Sequence, residues 1–285
     1  MKIVISAEST IDLPSELLEK YDIHILPFTL VLGEEEGADG KIKPEDLYEY
    51  VSKSGKLPHT SAVNEFQYDE FFSSLLKEYD HIIHFSLSSE ISSACSNAKA
   101  AAAKLNGKVD IIDTRSLSTG IALQAIYASN LVKNGHSAEE IISLLTNRIP
   151  FDQASFSLES VDYLYKGGRC SYLKMLGVNI LKIKPSIYVK EGKMVVGGKY
   201  RGNMLKAVMG YVEDTLKKFN NPDHSRVFIT YSTAPDDVVE AVKQRLSKEG
   251  FKEIIPTRAG STISCHCGPH CLGILYFNDG DNHIN

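Results

Sequence analysis

The sequence lacks the signatures that announce nucleotide enzymes and serine hydrolases of the common kinds. It has no G-x-x-x-x-G-K-[ST] phosphate loop, no G-x-G-x-x-G opening its first helix and no G-x-S-x-G elbow. It has no run of Lys and Arg, and its net charge is -5, which argues against a broad nucleic-acid surface. No stretch approaches 18 uninterrupted apolar residues, so no membrane-spanning helix is predicted. Met1 runs straight into KIVIS, with no basic segment followed by an apolar one, so no signal peptide is predicted and a cytoplasmic protein is expected. Cysteine is scarce and odd in number: of five, Cys95 and Cys170 stand alone while Cys265, Cys267 and Cys271 cluster. That is not a disulfide framework. Internal repeats are also missing, and the one low-complexity stretch is the Ala run at 100–103.

What is present is ordinary globular material. Over 285 residues, 43% are hydrophobic and 24% charged, enough for one large domain or two of usual size. In the first half, strand and helix patterns alternate. KIVIS reads as a buried strand, with Ser9 or Asp12 as cap of the helix that follows. IHILPFTLVL (23–32) is a strand broken at Pro27, and residues 32–41 an acidic, Gly-punctuated loop. PEDLYEYVSKS is a helix with acids in its first turn, 55–63 a loop, and EFQYDEFFSSLLKEY an amphipathic helix. HIIHFSLS and VDIIDT are strands, each followed by a helix, the first of them from residue 89. This alternation implies a largely parallel sheet with helices on its faces. The second half is α/β with an antiparallel component, including a hairpin turning at Glu191-Gly192, and the boundary falls near 150–155.

Four stretches could carry chemistry. In SLSSEISSACS (86–96) a strand gives way to a helix across a run of hydroxyls. Capping accounts for one or two of Ser88, Ser89, Ser92 and Ser93. An anionic ligand at the helix start is the other reading, and both stay open. HTSAV places Thr60 and Ser61 in a loop, where a plain turn also suits them. In YKGGRCS, Arg169 follows two glycines that permit close approach or positive φ. Lastly, SCHCGPHCL (264–272) crowds five Cys and His together. Read as a strand, TISCHC sends Cys265 and Cys267 to one face and His266 to the other, so the three do not converge on one ion. Buried packing suits the cysteines better. A zinc or redox protein built on Cys265, Cys267 and Cys271 remains one alternative. A hydrolase using Ser92 with His266 as base, and Asp113 as the only acid to nominate, is the other.

The order of motifs resembles the DegV family of bacterial fatty-acid-binding proteins along essentially the whole chain. The matching stretches are STIDLP (9–14), TSAVNEF (60–66), SSEISSACSNA (88–98), DTRSLSTG (113–120), VDYLYKGGRCS (161–171), KYRGNMLKA (199–207) and HCGPHCLGILYF (266–277). Ala62, Val63, Ser93, Cys267, His270 and Cys271 depart from the family's usual residues. The resemblance implies two α/β domains with the ligand between them. These are a Rossmann-like, largely parallel domain over 1–154 and a mixed-sheet domain over 155–285. It implies a long-chain fatty acid, C14–C18, as ligand, no cofactor and no catalysis by this chain alone. It further implies presentation of the carboxylate to a separate ATP-dependent fatty acid kinase subunit for phospholipid synthesis. Thr60, Ser61, Ser92, the backbone of Ser93, and His266 are then the head-group residues. Arg169 and Arg201 become the residues that engage the kinase subunit.

Overall fold

The computed structural model describes residues 1–169 and 183–281. Cys170 and Ser171, which end the YKGGRCS stretch, lie outside the described residues. In chain order the first half comprises β1 (Ile3–Glu8), α1 (Ser15–Tyr21), β2 (Ile23–Leu26), β3 (Thr29–Leu32), β4 (Glu35–Ala38), α2 (Pro44–Ser54), β5 (His59–Ser61), α3 (Glu65–Leu75), β6 (His81–Ser86), α4 (Ala94–Ala102), β7 (Val109–Asp113), α5 (Thr119–Lys133) and α6 (Ala138–Arg148). The second comprises β8 (Asp152–Ser157), α7 (Asp162–Lys166), β9 (Lys184–Lys190), β10 (Lys193–Tyr200), α8 (Met204–Lys218), β11 (Arg226–Tyr231), α9 (Asp236–Glu249), β12 (Glu253–Arg258), α10 (Ser261–Cys267) and β13 (Leu272–Phe277).

The first sheet has the order β2-β1-β6-β7 and is parallel throughout. Every residue of β1 and β6 is buried, as parallel strands covered on both faces require. The direction of strand addition reverses between β1 and β6. The crevice beyond the carboxyl ends at such a reversal is where open α/β sheets take ligands. The second sheet, β10-β9-β8-β13-β11-β12, is antiparallel except for the β11–β12 pair. Its first strand in sequence, β8, begins at Asp152. The β9–β10 hairpin turns at Glu191-Gly192, both at positive φ, as its sequence predicts.

Several expectations need correction. Residues 32–41 and 55–63 are not simply loops: they supply β4 and β5 to a third, antiparallel sheet of order β4-β3-β5. These strands are three or four residues long and largely exposed, so their sequences carry little apolar alternation. Neither Ser9 nor Asp12 caps α1. Ser9 Oγ donates to Asp39, and Asp12 reaches Ser118 and Gly260 instead. The helix expected from residue 89 starts at Ala94. TISCHC is not a strand but part of α10. Thr, Ile, Ser and Cys favour a helix weakly, and tertiary contacts override them. Asp39 accepts the N–H groups of Ser261 and Thr262 at 3.0 and 3.3 Å, and Asp12 that of Gly260 at 2.8 Å. Donors that a helix start leaves unpaired are thereby satisfied.

The core is continuous across the two large sheets. One cluster holds Val4, Ile83 and Phe85 of the first together with Phe156, Ile187 and Leu275 of the second. Between them lies α5, packed against β1 and β6 on one side and β8 and β13 on the other. All its residues from Thr119 to Ser129 are buried.

Candidate functional site

A cavity of about 780 Å³, counting space that opens to solvent, lies between the two large sheets. Leu87, Ile91 and Ser92 reach it from the carboxyl end of β6, and Leu117 and Ser118 from beyond β7. Phe156, Met194 and Leu275 line it from the second sheet, and Ile263, His266 and Cys267 from α10. Its wall is overwhelmingly apolar. At one end it shares Thr60, Ile91, Ser92, Arg169 and Met194 with an open recess that adds Ser61, Ser89, Ser93, Ser96 and Lys193. The site is an apolar chamber with a hydroxyl-rich mouth.

A buried network holds the carboxyl ends of β1 and β6. Glu8 accepts hydrogen bonds from the Tyr68 hydroxyl at 2.5 Å, Ser86 Oγ at 2.7 Å and the Leu87 N–H at 2.8 Å. His84 stands 3.3 Å from the same carboxylate. A buried carboxylate needs such partners, and these fix the strand end from which residues 87–93 depart.

The serines of that segment divide by role. Ser88 Oγ donates to the Gly192 carbonyl at 2.8 Å, joining the segment to the hairpin turn. Ser89 Oγ donates to Asp113 at 2.5 Å. Ser92 Oγ accepts the Ala94 N–H at 3.2 Å, so it serves the start of α4 while lining the chamber. Ser93 is exposed at the mouth.

His266 sits at the junction of chamber and mouth. Its Nε2 and Thr60 Oγ1 are hydrogen-bonded at 2.8 Å across 206 residues of sequence. Burial, then the nearby charge of Arg169, lowers its pKa to about 4, so the imidazole is neutral near pH 7. Gly167 explains the close fit: a Cβ there would stand 2.8 Å from His266 Nδ1. Gly168 has φ +75, and the turn brings Arg169 to the chamber mouth, where its Nη1 donates to the Gly167 carbonyl at 2.7 Å.

The sequence-predicted residues are thus partly gathered. Thr60, Ser92, Arg169 and His266 line one chamber, while Ser61 and Ser93 stand at its mouth. Arg201 is exposed between β10 and α8 and does not line the chamber. The hydrolase geometry does not assemble. Asp113 bonds Ser89 and the Arg115 N–H, and His266 Nδ1 has no hydrogen-bond partner among the described residues, so nothing orients the imidazole as a base.

Cys265 stands apart from Cys267 and Cys271, which meet each other. Successive helix residues point about 100° apart, so Cys265, His266 and Cys267 fan outward. Cys265 packs with Leu30 and Leu47, and Cys267 and Cys271 join the main core. Burial pushes the Cys265 thiol up to about 12, and hydrogen bonding with Cys267, then burial, raises that of Cys271. Both therefore stay protonated, unlike metal-binding or reactive thiols. Among the described residues no group of three or more His, Cys, Asp or Glu is placed to hold a metal ion. His270 is exposed at positive φ, its N–H donating to Thr233 Oγ1.

Residues 2–279 match the model of a family described as uncharacterised proteins, the DegV family. The chain belongs to the DegV family. This DegV chain is 30% identical over 281 residues to a fatty acid-binding protein of Thermotoga maritima, covering 96% of each. Its fold superposes with a TM-score of 0.90 on a Thermus thermophilus DegV protein described by its fatty acid binding. The two are 25% identical, with 97% of this chain and 99% of that one covered. The Streptococcus pneumoniae fatty acid kinase B3 protein, loaded with linoleic acid, shares the fold at a TM-score of 0.84 and 19% identity, covering 98% and 100%. No helix among the described residues is long and apolar enough to cross a membrane.

Three contributors to the site escaped the sequence reading. Glu8, Asp12 and Asp39 anchor the elements that carry Ser92 and His266. Their partners lie 79, 248 and 222 residues away in sequence, so no local spacing signals them.

Proposed function

We propose that this chain binds a long-chain fatty acid of C14–C18, tail in the apolar chamber and carboxylate at Thr60, Ser92 and His266. Ser61 and the Ser93 backbone flank the head group at the mouth. The observation that carries the reading is the neutral His266–Thr60 pair where an apolar chamber meets a hydroxyl-rich opening. A buried carboxylate must be hydrogen-bonded, and hydroxyls with a neutral imidazole do this without fixing it in an ion pair. We further propose that the chain, with domains 1–154 and 155–285, is a cytoplasmic carrier. It hands the carboxylate to a separate ATP-dependent kinase subunit for acyl-phosphate formation and performs no chemical step alone. Arg169 at the mouth and exposed Arg201 then engage that subunit, and a bidentate Arg clamp on the carboxylate, which binds more tightly, is avoided. The kinase half of the proposal rests on the motif resemblance and on the fold shared with the pneumococcal kinase B3 protein.

The test is extraction of the purified protein with organic solvent, followed by mass spectrometry. About one C14–C18 fatty acid per chain is expected. Absence of lipid, with about one zinc per chain by elemental analysis, would overturn the reading.

A further inference from the structure

The apolar chamber is lined by several hydroxyl residues, and most are satisfied by the protein itself. Ser118 Oγ donates to Asp12 at 2.5 Å, and Ser232 Oγ to the Gly268 carbonyl at 2.7 Å. Ser155 Oγ and the Tyr211 hydroxyl are 2.8 Å apart, and Thr230 and Thr119 Oγ1 are 2.6 Å apart. Such groups ask nothing of a ligand.

Thr262 differs. It lines the chamber and is 3% exposed, yet its Oγ1 is buried without a hydrogen-bond partner among the described residues. Its backbone is held, since its N–H donates to Asp39. An orphaned buried hydroxyl is costly and calls for a partner. Thr262 also lies four residues before His266 on α10. The two therefore share one helix face, about 6 Å apart along the axis. With a carboxylate at His266, the carbons just beyond it pass Thr262.

We infer that Thr262 selects an acyl chain bearing a hydroxyl a few carbons from the carboxylate, the group that completes the hydrogen bond Thr262 lacks. The inference rests on the fatty-acid reading above and names the substrate class. A ligand hydroxyl both donates and accepts, so it pairs with Oγ1 in either orientation. A plain methylene leaves Oγ1 unpaired, and sites built to bond a ligand hydroxyl discriminate against analogues without it.

The test compares hexadecanoic, 3-hydroxyhexadecanoic and 16-hydroxyhexadecanoic acids on the delipidated full chain, on Thr262→Val and on Thr262→Ser. The 3-hydroxy acid should bind the unaltered chain about 2- to 10-fold more tightly than hexadecanoic acid, the range of one net hydrogen bond. Thr262→Val, equal in shape, should erase that advantage, and Thr262→Ser should keep it. No advantage, an advantage that persists in Thr262→Val, or an equal one for the 16-hydroxy acid would each refute the inference while leaving the fatty-acid reading standing. Failure of all three acids to bind would bring down that reading and the inference together.

Discussion

At the scale of single residues, the proposed head-group site rests on a few polar side chains at the end of an apolar chamber. Ser92→Ala and His266→Ala should each weaken fatty-acid binding by about 1–3 kcal/mol, the cost of leaving a charged acceptor short of one donor. Titration calorimetry checks this, and unchanged affinity in both variants would mean the carboxylate lies elsewhere. Thr60, Ser92 and His266 were legible because hydroxyls and a histidine stood in recognisable local stretches. Thr262 stood in the same stretch as His266 but was invisible. Its interest arises from a missing partner, and partners are supplied by the rest of the fold.

Among elements, α10 decides the site, and it is the element whose sequence misled. STISCHC has weak helical preference, and Asp12 and Asp39 from the other half of the chain satisfy donors at the helix start. Strand and helix readings both separate His266 from its cysteine neighbours, so its candidacy never depended on the strand geometry. Only the helix aligns it with Thr262. The short turn after α7 matters equally. Gly167→Ala would set a Cβ 2.8 Å from His266 Nδ1 and 2.9 Å from the Tyr163 carbonyl. Displacing the imidazole should cost about 1–3 kcal/mol of ligand affinity, as over-packing does in cores. The unfolding midpoint should fall as well, because the Tyr163 carbonyl is backbone and gives way less easily than a side chain, although the φ of -73 at Gly167 suits alanine. Affinity titrations beside urea melts separate the two effects, and full affinity in this variant would contradict the geometry.

For the whole molecule, alternation of strand and helix revealed the parallel first sheet, and the Glu191-Gly192 turn revealed the antiparallel part of the second. The third sheet was hidden because its strands bury little. The joint between halves carries a titrating group. Asp12 is buried between the Ser118 hydroxyl and the Gly260 N–H, and burial raises its pKa from 3.8 to about 8. An acid that holds its proton more tightly when folded stabilises the fold fully below pH 3.8. That contribution is lost as pH rises through about 8. Asp12→Asn keeps the shape without the charge. Between pH 5 and pH 8 the unaltered chain should therefore lose more stability than Asp12→Asn, as read by urea melts at both values. Parallel pH slopes would show that Asp12 does not hold a proton in the fold.

The burial of α5 has a mechanical consequence. A helix packed into both large sheets at once is a weld, not a hinge. Parting the halves would strip apolar surface from Ile121, Ala122 and Ile126, which are fully buried, and burial of such surface is worth about 25 cal/mol per Å². The chamber therefore keeps its walls while its contents change. The proposed fatty acid would then come and go end-on, through the rim where Ser61, Ser93 and Arg169 stand, like a cork drawn from a rigid bottle.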